Sequence, residues 1–189
     1  MENKLIIPSR FEYADYERDV PEFVKDFVRN LNEKRKGLYI FGNPGTGKTH
    51  ISYAVCKKLY EEGRRVRAFS VVDILRFIKE DMNFDNNPNY QTHGEKFFGE
   101  EGLDFLNAIN DFKGVLFIDD LGTEKGTEWA IEVLNSIINK KYEDCIPVII
   151  TSNHNLSELS GKVGDRISSR IYQMCDVINM TGNDKRLEL

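Results

Sequence analysis

Short apolar runs alternate along the chain with stretches in which apolar residues recur every three to four positions. Runs of strand length lie at residues 38–41, 66–69, 115–118 and 148–151, and residues 176–180 supply a fifth. The stretches between them have the periodicity of helices that bury one face. Strands that alternate with helices in this way predict an α/β domain with a parallel sheet.

The first helix is predicted to begin at Pro21, because proline is favoured at the start of a helix. A basic stretch at residues 34–37 ends it, and we expect it to pack beside the first strand. Its apolar face is predicted to consist of Phe23, Val24, Phe27, Val28 and Leu31. Further helices are predicted around residues 51–59, 72–78 and 129–138.

The composition is that of one globular domain. The chain has 189 residues, of which 40% are hydrophobic and 30% are charged, which is enough to bury a full core. We divide it into residues 1–36, an N-terminal segment with the leading helix, and residues 37–189, the core. The longest apolar runs are too short to cross a bilayer, and residues 1–4 do not begin a signal peptide. We therefore expect a cytoplasmic protein that does not associate with a membrane.

Residues 42–49 match the phosphate-binding pattern G-x-x-x-x-G-K-[ST] at every position. An apolar run precedes this loop and a helical pattern follows it, which is the context that an anion-binding loop requires. Lys48 is expected to contact the β- and γ-phosphates of ATP, and the Thr49 hydroxyl to bind Mg²⁺. The predicted nucleotide-binding residues are Gly42, Asn43, Pro44, Gly45, Thr46, Gly47, Lys48, Thr49 and His50.

Two carboxylates, Asp119 and Asp120, follow the apolar run at residues 115–118. Parallel sheets bind their ligands at the carboxyl ends of the strands. We therefore expect Asp119 to hold Mg²⁺, usually through water, and Asp120 to orient the water that attacks the γ-phosphate. The alternative is an aspartate that ends a strand and caps the next turn, and the phosphate loop upstream favours the catalytic interpretation.

Asn153 and two arginines complete the candidate set. Asn153 follows the run at residues 148–151, and its amide would contact both the γ-phosphate and the water if this strand lies between the other two. Arg166 and Arg170 are four residues apart on one face of a predicted helix. A planar guanidinium suits the charge that develops on a phosphate. A solvated basic face that pairs with acids such as Asp165 is the simpler alternative.

In this order the motifs resemble those of the AAA+ ATPase module found in DnaC/DnaI-type replicative helicase loaders and IstB-type transposition ATPases. Besides the arginine segment, the resemblance rests on residues 8–11 with 14–15, and on residues 47–50, 119–122 and 151–153. It implies a three-layer α/β/α P-loop fold with a parallel five-stranded sheet and an absent or vestigial lid domain. We expect the Asn153 strand between the phosphate-loop strand and the Asp119 strand.

The resemblance also implies roles for single residues. Asn153 would be the sensor 1 residue, Arg170 the arginine finger with Arg166 beside it, and Arg186 the sensor 2 residue. Most AAA+ proteins have Glu at the position of Asp120, which leads us to expect slow hydrolysis. Loaders of this type usually carry an N-terminal helicase-binding domain, whereas here the core begins almost at the first residue.

Binding to single-stranded DNA is expected to be local and weak. A net charge of −5 and a pI near 5.3 argue against broad, charge-driven contact with nucleic acid. A polar stretch at residues 83–94 predicts a long loop, and Lys79, Lys96, Phe97 and Phe98 near it are candidates for contact by charge and stacking. A buried helix that contains both phenylalanines is the favoured alternative. That helix would extend to Leu103, Phe105, Leu106 and Ile109.

The sequence thus predicts an ATP-dependent switch that assembles head-to-tail and acts on a replicative helicase or on single-stranded DNA. ATP binding would favour assembly, and hydrolysis completed by a neighbour's Arg170 would reverse it. Three alternatives remain: an IstB-like ATPase that assists a transposase, a P-loop kinase of small molecules, and a nucleotide-sensing adaptor without useful turnover. The kinase alternative is weakened because this sequence has no obvious arginine-rich lid segment.

Overall fold

Five parallel strands form a single sheet in the order β2-β3-β4-β1-β5. The structure is a computed structural model that describes residues 5–83, 90–99, 103–123 and 126–184. The strands are β1 (Gly37–Phe41), β2 (Val66–Ser70), β3 (Val115–Leu121), β4 (Val148–Ser152) and β5 (Cys175–Asn179). The predicted order is confirmed, because β4 lies between β1 and β3.

Helices cover both faces of the sheet. They are α1 (Tyr16–Asp19), α2 (Glu22–Lys34), α3 (Lys48–Glu61), α4 (Val71–Met82), α5 (His93–Phe98), α6 (Phe105–Asp111), α7 (Glu128–Glu143), α8 (Leu156–Val163) and α9 (Asp165–Met174). A short 3-10 helix, Ser9–Phe11, precedes them. None of these helices combines the length and the apolar character needed to span a membrane.

The alternating side chains of the strands build two separate cores. On one face, Leu38 and Ile40 of β1 join a cluster with α2, α3 and the N-terminal segment. On the other face, Tyr39 of β1 joins a cluster with α4 to α9. Successive residues of a strand point to opposite faces of its sheet, so the continuous apolar runs reflect burial on both sides. The predicted three-layer α/β/α fold is confirmed.

The leading helix differs from its prediction at one position. Val24, Phe27, Val28 and Leu31 of α2 are buried, as expected. Phe23 is 54% exposed, so its predicted place in the buried face was wrong. The four buried residues follow the i, i+3, i+4, i+7 pattern. Phe23 immediately precedes Val24 and therefore lies about 100° from it around the helix axis, at the edge of the buried face.

The phenylalanines considered for DNA stacking lie in the core. Phe98 is 8% exposed, and Phe105 is fully buried. Their rings are 5.7 Å apart, and Phe97 packs against the same cluster as a partly buried residue. The favoured interpretation is confirmed, although the predicted single helix is in fact two, α5 and α6. Lys79 and Lys96 are exposed.

Asp81, at the end of α4, determines how α5 and α6 begin. Its side chain is 1% exposed, and it accepts hydrogen bonds from the backbone N–H groups of His93 and Phe105 and from the Tyr90 hydroxyl. The predicted polar loop therefore ends earlier than expected, because His93 and Gly94 already belong to α5. Residues 84–89 of that loop lie outside the described part of the chain.

Lys141 of α7 is fully buried and provides a hydrogen-bond donor for the carbonyl groups at the C-terminal end of α6. Its ammonium group donates to the carbonyl oxygens of Ile109, Asn110 and Phe112 at 2.7, 3.2 and 2.6 Å. Burial lowers the pKa of Lys141 to about 7. The three carbonyl acceptors at a helix C-terminus act in the opposite direction, because they favour the charged form.

Replacing Lys141 with methionine is expected to destabilise the protein by about 3 kcal/mol, because buried carbonyl groups lose their donor. Urea unfolding measures this change directly. Lys140→Met is the matched control, since the Lys140 side chain is 38% exposed and an exposed ion pair contributes little. Equal free energies of unfolding for the two variants would contradict the structural role given to Lys141.

Candidate functional site

The loop between β1 and α3 has the backbone of an anion-binding site. Gly45 and Gly47 have φ values of +80° and +97°, which L-residues with side chains adopt at a cost. Gly47 caps α3, whose first residue is Lys48. A glycine-rich turn that leads into a helix N-terminus directs backbone N–H groups and the helix dipole toward a bound anion.

The chain that follows β5 lies directly over this loop. A Cβ atom on Gly42 would overlap the carbonyl oxygen of Met180, and one on Gly45 would overlap the Asp184 carboxylate. Gly42 is therefore required for a close backbone approach as well as for its φ of +150°. These contacts were not predicted from the sequence. Residues 180–184 form no helix, and Arg186 lies outside the described residues.

Lys48 and Asn153, distant in sequence, meet at the carboxyl edge of the sheet. Lys48 is 5% exposed, and its ammonium donates to the carbonyl oxygens of Gly42 and Asn43, both at 2.8 Å. It also donates to Asn153 Oδ1 at 3.0 Å. Because β4 is hydrogen-bonded to β1, the residue that follows β4 lies beside the phosphate loop.

Thr49 and Asp119 form the second contact between the motifs. The Thr49 hydroxyl donates to Asp119 Oδ1 at 2.8 Å, and the Thr151 hydroxyl donates to the same oxygen at 2.5 Å. Burial raises the pKa of Asp119, the neighbouring Asp120 raises it further, and the two hydroxyl groups lower it. Hydroxyl and carboxylate oxygens are the ligands that Mg²⁺ prefers, so Thr49 and Asp119 fit this ion. Thr151 was not among the predicted site residues.

Asp120 adopts a left-handed conformation, with φ of +59°. The register between β3 and β4 shifts between Ile118 and Leu121, and the Asp120 N–H donates to the Thr151 hydroxyl at 2.9 Å. The irregularity turns the chain just where the strand ends, and Asp120 lines the same cavity as Lys48. Irregular strand geometry of this kind is common next to active sites.

A cavity of about 760 Å³ joins these residues. One wall comes from the N-terminal segment, whose residues were not predicted to belong to the site. Its lining residues are Arg10, Phe11, Arg18, Asp19, Pro44, Gly45, Gly47, Lys48, Thr49, His50, Ile51, Asp119, Asp120 and Asn153. His50 Nε2 lies 2.7 Å from Asp19 Oδ2, so His50 connects the helix after the phosphate loop to that wall.

Arg166 and Arg170 do not line this cavity. Both belong to α9, as predicted; Arg166 is exposed and Arg170 is half-buried. The Arg170 guanidinium lies 5.9 Å from the centre of the Tyr142 ring, and its buried Nη1 has no hydrogen-bond partner among the described residues. Within one chain, therefore, the arginine pair is separate from the phosphate loop.

Comparison with known proteins agrees with this geometry. A family model described as "ATPase family associated with various cellular activities (AAA)" matches residues 38–174. The replicative helicase loader DnaI of Bacillus subtilis is 28% identical over 180 residues, which cover 87% of this chain and 53% of DnaI. The replicative helicase loader DnaC of Escherichia coli is 26% identical over 153 residues, which cover 79% of this chain and 54% of DnaC.

The fold is also similar to a solved loader structure. A crystal structure of the DnaC helicase loader superposes with a TM-score of 0.72 and 28% identity, over 92% of this chain and 100% of that one. The chain spans about half the length of the curated relatives it matches. The AAA family model covers most of the sheet, and it includes the phosphate loop and the acidic pair Asp119 and Asp120. The chain therefore belongs to the ATPase family associated with various cellular activities, AAA, and its relatives include the DnaC and DnaI helicase loaders.

Proposed function

We propose that this chain binds MgATP in the 760 Å³ cavity, hydrolyses it slowly, and acts as an ATP-dependent switch of the helicase-loader type. One observation carries the proposal: Lys48 contacts Asn153 and Thr49 contacts Asp119, so three motifs distant in sequence converge on one cavity. Membership of an ATPase family supports nucleotide binding and hydrolysis as the general activity.

The donors present fit a nucleotide triphosphate. The backbone turn at residues 42–47 and the N-terminus of α3 would hold phosphate oxygens, and Lys48 would exchange its carbonyl partners for them. Thr49 and Asp119 would hold Mg²⁺, Asp119 through water. When bound, Mg²⁺ neutralises charge on the β- and γ-phosphates. The sugar and base would lie against the wall that Arg10 and Phe11 contribute to the same cavity.

Asp120 and Asn153 are the residues proposed to act on the attacking water. Asp120 would accept a hydrogen bond from it and orient it toward phosphorus, and the Asn153 amide would contact both water and γ-phosphate. Since Asn153 already accepts a hydrogen bond from Lys48, the two side chains can respond together to the presence of the γ-phosphate. Asp120 is shorter than glutamate, which supports slow hydrolysis.

Hydrolysis is proposed to be completed between subunits. Arg166 and Arg170 lie outside the cavity of their own chain. Arg166 is exposed on α9, so a neighbouring subunit would be able to contact it. A head-to-tail arrangement would place this helix at the next subunit's γ-phosphate, and such heterologous contacts build rings or filaments. The sensor 2 role of Arg186 remains a prediction.

The proposed partner is a replicative helicase, with single-stranded DNA as a weaker one. The support comes from DnaC and DnaI, both named replicative helicase loaders. ATP binding would favour assembly with the partner, and hydrolysis would release it. A pull-down from the host, scored for replicative helicase against transposase, tests this choice, and recovery of a transposase alone would favour the IstB-like alternative.

Asp120→Asn tests the proposed reaction. The substitution is expected to leave the Kd for MgATP within about twofold and to lower kcat about 10²-fold, because a carboxylate that orients the nucleophile acts mainly in the transition state. Phosphate release and equilibrium binding measure the two quantities. Asp111→Asn, at an exposed position at the end of α6, is the control. An unchanged kcat in Asp120→Asn would remove Asp120 from the proposed mechanism.

A further inference from the structure

Asp19 lies where the N-terminal segment meets the helix that follows the phosphate loop. We propose that Asp19 is a positioning residue: through His50 it couples the segment at residues 9–19 to the nucleotide site. The proposal rests on the proposed binding of MgATP in the cavity. The N-terminal segment then senses whether nucleotide is bound, and its docking in turn sets how tightly nucleotide binds.

The Asp19 carboxylate is fully engaged. Oδ1 accepts from Arg18 Nε at 2.7 Å, and Oδ2 lies 2.7 Å from His50 Nε2 and accepts from the Asp15 N–H at 2.9 Å. The side chain is only 18% exposed. The Arg18 guanidinium holds the pKa of Asp19 well below its usual range. The hydrogen bonds to Arg18, His50 and the Asp15 N–H thus hold the Asp19 carboxylate in one orientation.

Three residues on one face of α3 hold the segment. His50 binds Asp19, the Tyr53 ring stacks on Phe11 with centroids 4.8 Å apart, and Lys57 Nζ donates to the carbonyl oxygens of Glu12 and Ala14, both at 2.8 Å. Positions 50, 53 and 57 follow the i, i+3, i+7 pattern of a single helix face. At 1.5 Å per residue they fix the segment along about 10 Å of the helix.

The same helix carries the phosphate-binding groups at its first turn. Lys48 and Thr49 immediately precede His50, and α3 begins at Lys48. A displacement of this turn when phosphate and Mg²⁺ bind is transmitted to His50 without an intervening flexible element. Only His50 among the three contacts lies in that first turn, so its bond to Asp19 is the point at which the segment responds to the nucleotide.

The segment is also part of the site, because Arg10, Phe11, Arg18 and Asp19 line the cavity. Ordering this wall before nucleotide arrives reduces the entropic cost of binding. Coupling is reciprocal: if docking of the segment strengthens nucleotide binding, nucleotide strengthens docking by the same factor. A residue that supports only the fold would lack this reciprocity.

The test compares Asp19→Asn with Asp15→Asn. Both substitutions remove one negative charge from the segment, and asparagine at position 15 keeps the acceptor that caps α1 through the Arg18 N–H. We measure the Kd for MgATP and the hydrogen exchange of backbone amides in residues 11–20, with and without MgATP. In the parent and in Asp15→Asn, MgATP is expected to slow this exchange.

Asp19→Asn is expected to raise the Kd about tenfold and to abolish the slowing of exchange by MgATP. His50→Ala removes the same bond from the other side and is expected to reproduce both effects. The double variant is expected to be no worse than either single one. If Asp19→Asn fails to fold, His50→Ala replaces it as the test variant.

The outcomes separate two failures. If the parent binds MgATP while Asp19→Asn and His50→Ala match Asp15→Asn in Kd and exchange, the coupling is wrong and the proposed ATP site stands. The coupling is also wrong if the effects of Asp19→Asn and His50→Ala simply add. If the parent itself binds no MgATP, the proposed function and the coupling that rests on it are both overturned.

Discussion

Lys48→Ala is expected to weaken MgATP binding by at least about 10²-fold and to remove measurable hydrolysis. Lys48 is a buried cation in the lining of the cavity, 5% exposed, and it lies at the loop where the β- and γ-phosphates would bind. Alanine removes that charge together with the hydrogen bond to Asn153. Calorimetric titration with MgATP measures the loss.

Lys58→Ala is the matched control for this variant. Lys58 lies on the same helix, α3, where its side chain is 34% exposed and pairs with Glu62 at 3.4 Å. The control should bind MgATP as the parent does, since an exposed pair of this kind has little effect. If Lys48→Ala bound MgATP as tightly as Lys58→Ala, the assignment of the phosphate loop would be wrong.

Arg170→Ala is expected to lower hydrolysis about 10²-fold while MgATP binding persists, because the arginine would act on a neighbour's γ-phosphate. Arginine fingers elsewhere increase the rate about 10³- to 10⁵-fold, and we expect a smaller increase here because a slow switch gains little from rapid hydrolysis. Mixing Arg170→Ala with Lys48→Ala subunits should restore part of the activity, since one retains an intact phosphate site and the other an intact arginine. Steady-state phosphate release from the two variants, alone and mixed, measures this.

Two controls separate this mechanism from a packing defect. Arg170 lies over the Tyr142 ring, so Tyr142→Leu removes that contact and is expected to retain most of the activity. Turnover per subunit of the parent should rise with protein concentration. A flat concentration profile together with a mixture as inactive as its components would rule out shared sites and the head-to-tail assembly based on them.

The sequence predicted the features that depend on local patterns. The phosphate loop is a contiguous motif, and the continuous apolar runs at residues 115–118 and 148–151 reflect strands buried on both faces. The position of β4 between β1 and β3 brings Asn153 to Lys48, and that order came from the family resemblance. Local pattern and resemblance together therefore located the centre of the candidate site.

The wall formed by the N-terminal segment was not predicted. Asp19 and Phe11 reach the cavity only because the segment folds back along α3, and contacts such as Asp19 with His50, 31 residues apart, leave no periodic signal. Lys141 was missed for a similar reason, since a lysine in an apolar helical pattern suggests an exposed position. The burial of Phe23 was wrongly predicted because the apolar pattern does not define the edge of a helix face.

Hydrolysis of ATP in the cavity between Lys48 and Asp120 requires the γ-phosphate to leave as inorganic phosphate, so the fate of this phosphate is the decisive measurement. Purified parent protein is incubated with Mg²⁺ and ATP labelled at the γ-phosphate, with and without a mixture of small-molecule phosphate acceptors, and the labelled products are separated. We expect the label to be released as inorganic phosphate under both conditions, and Lys48→Ala to release none. Label transferred to a small molecule in place of free phosphate, or equal release by the parent and Lys48→Ala, would show that this cavity does not hydrolyse ATP.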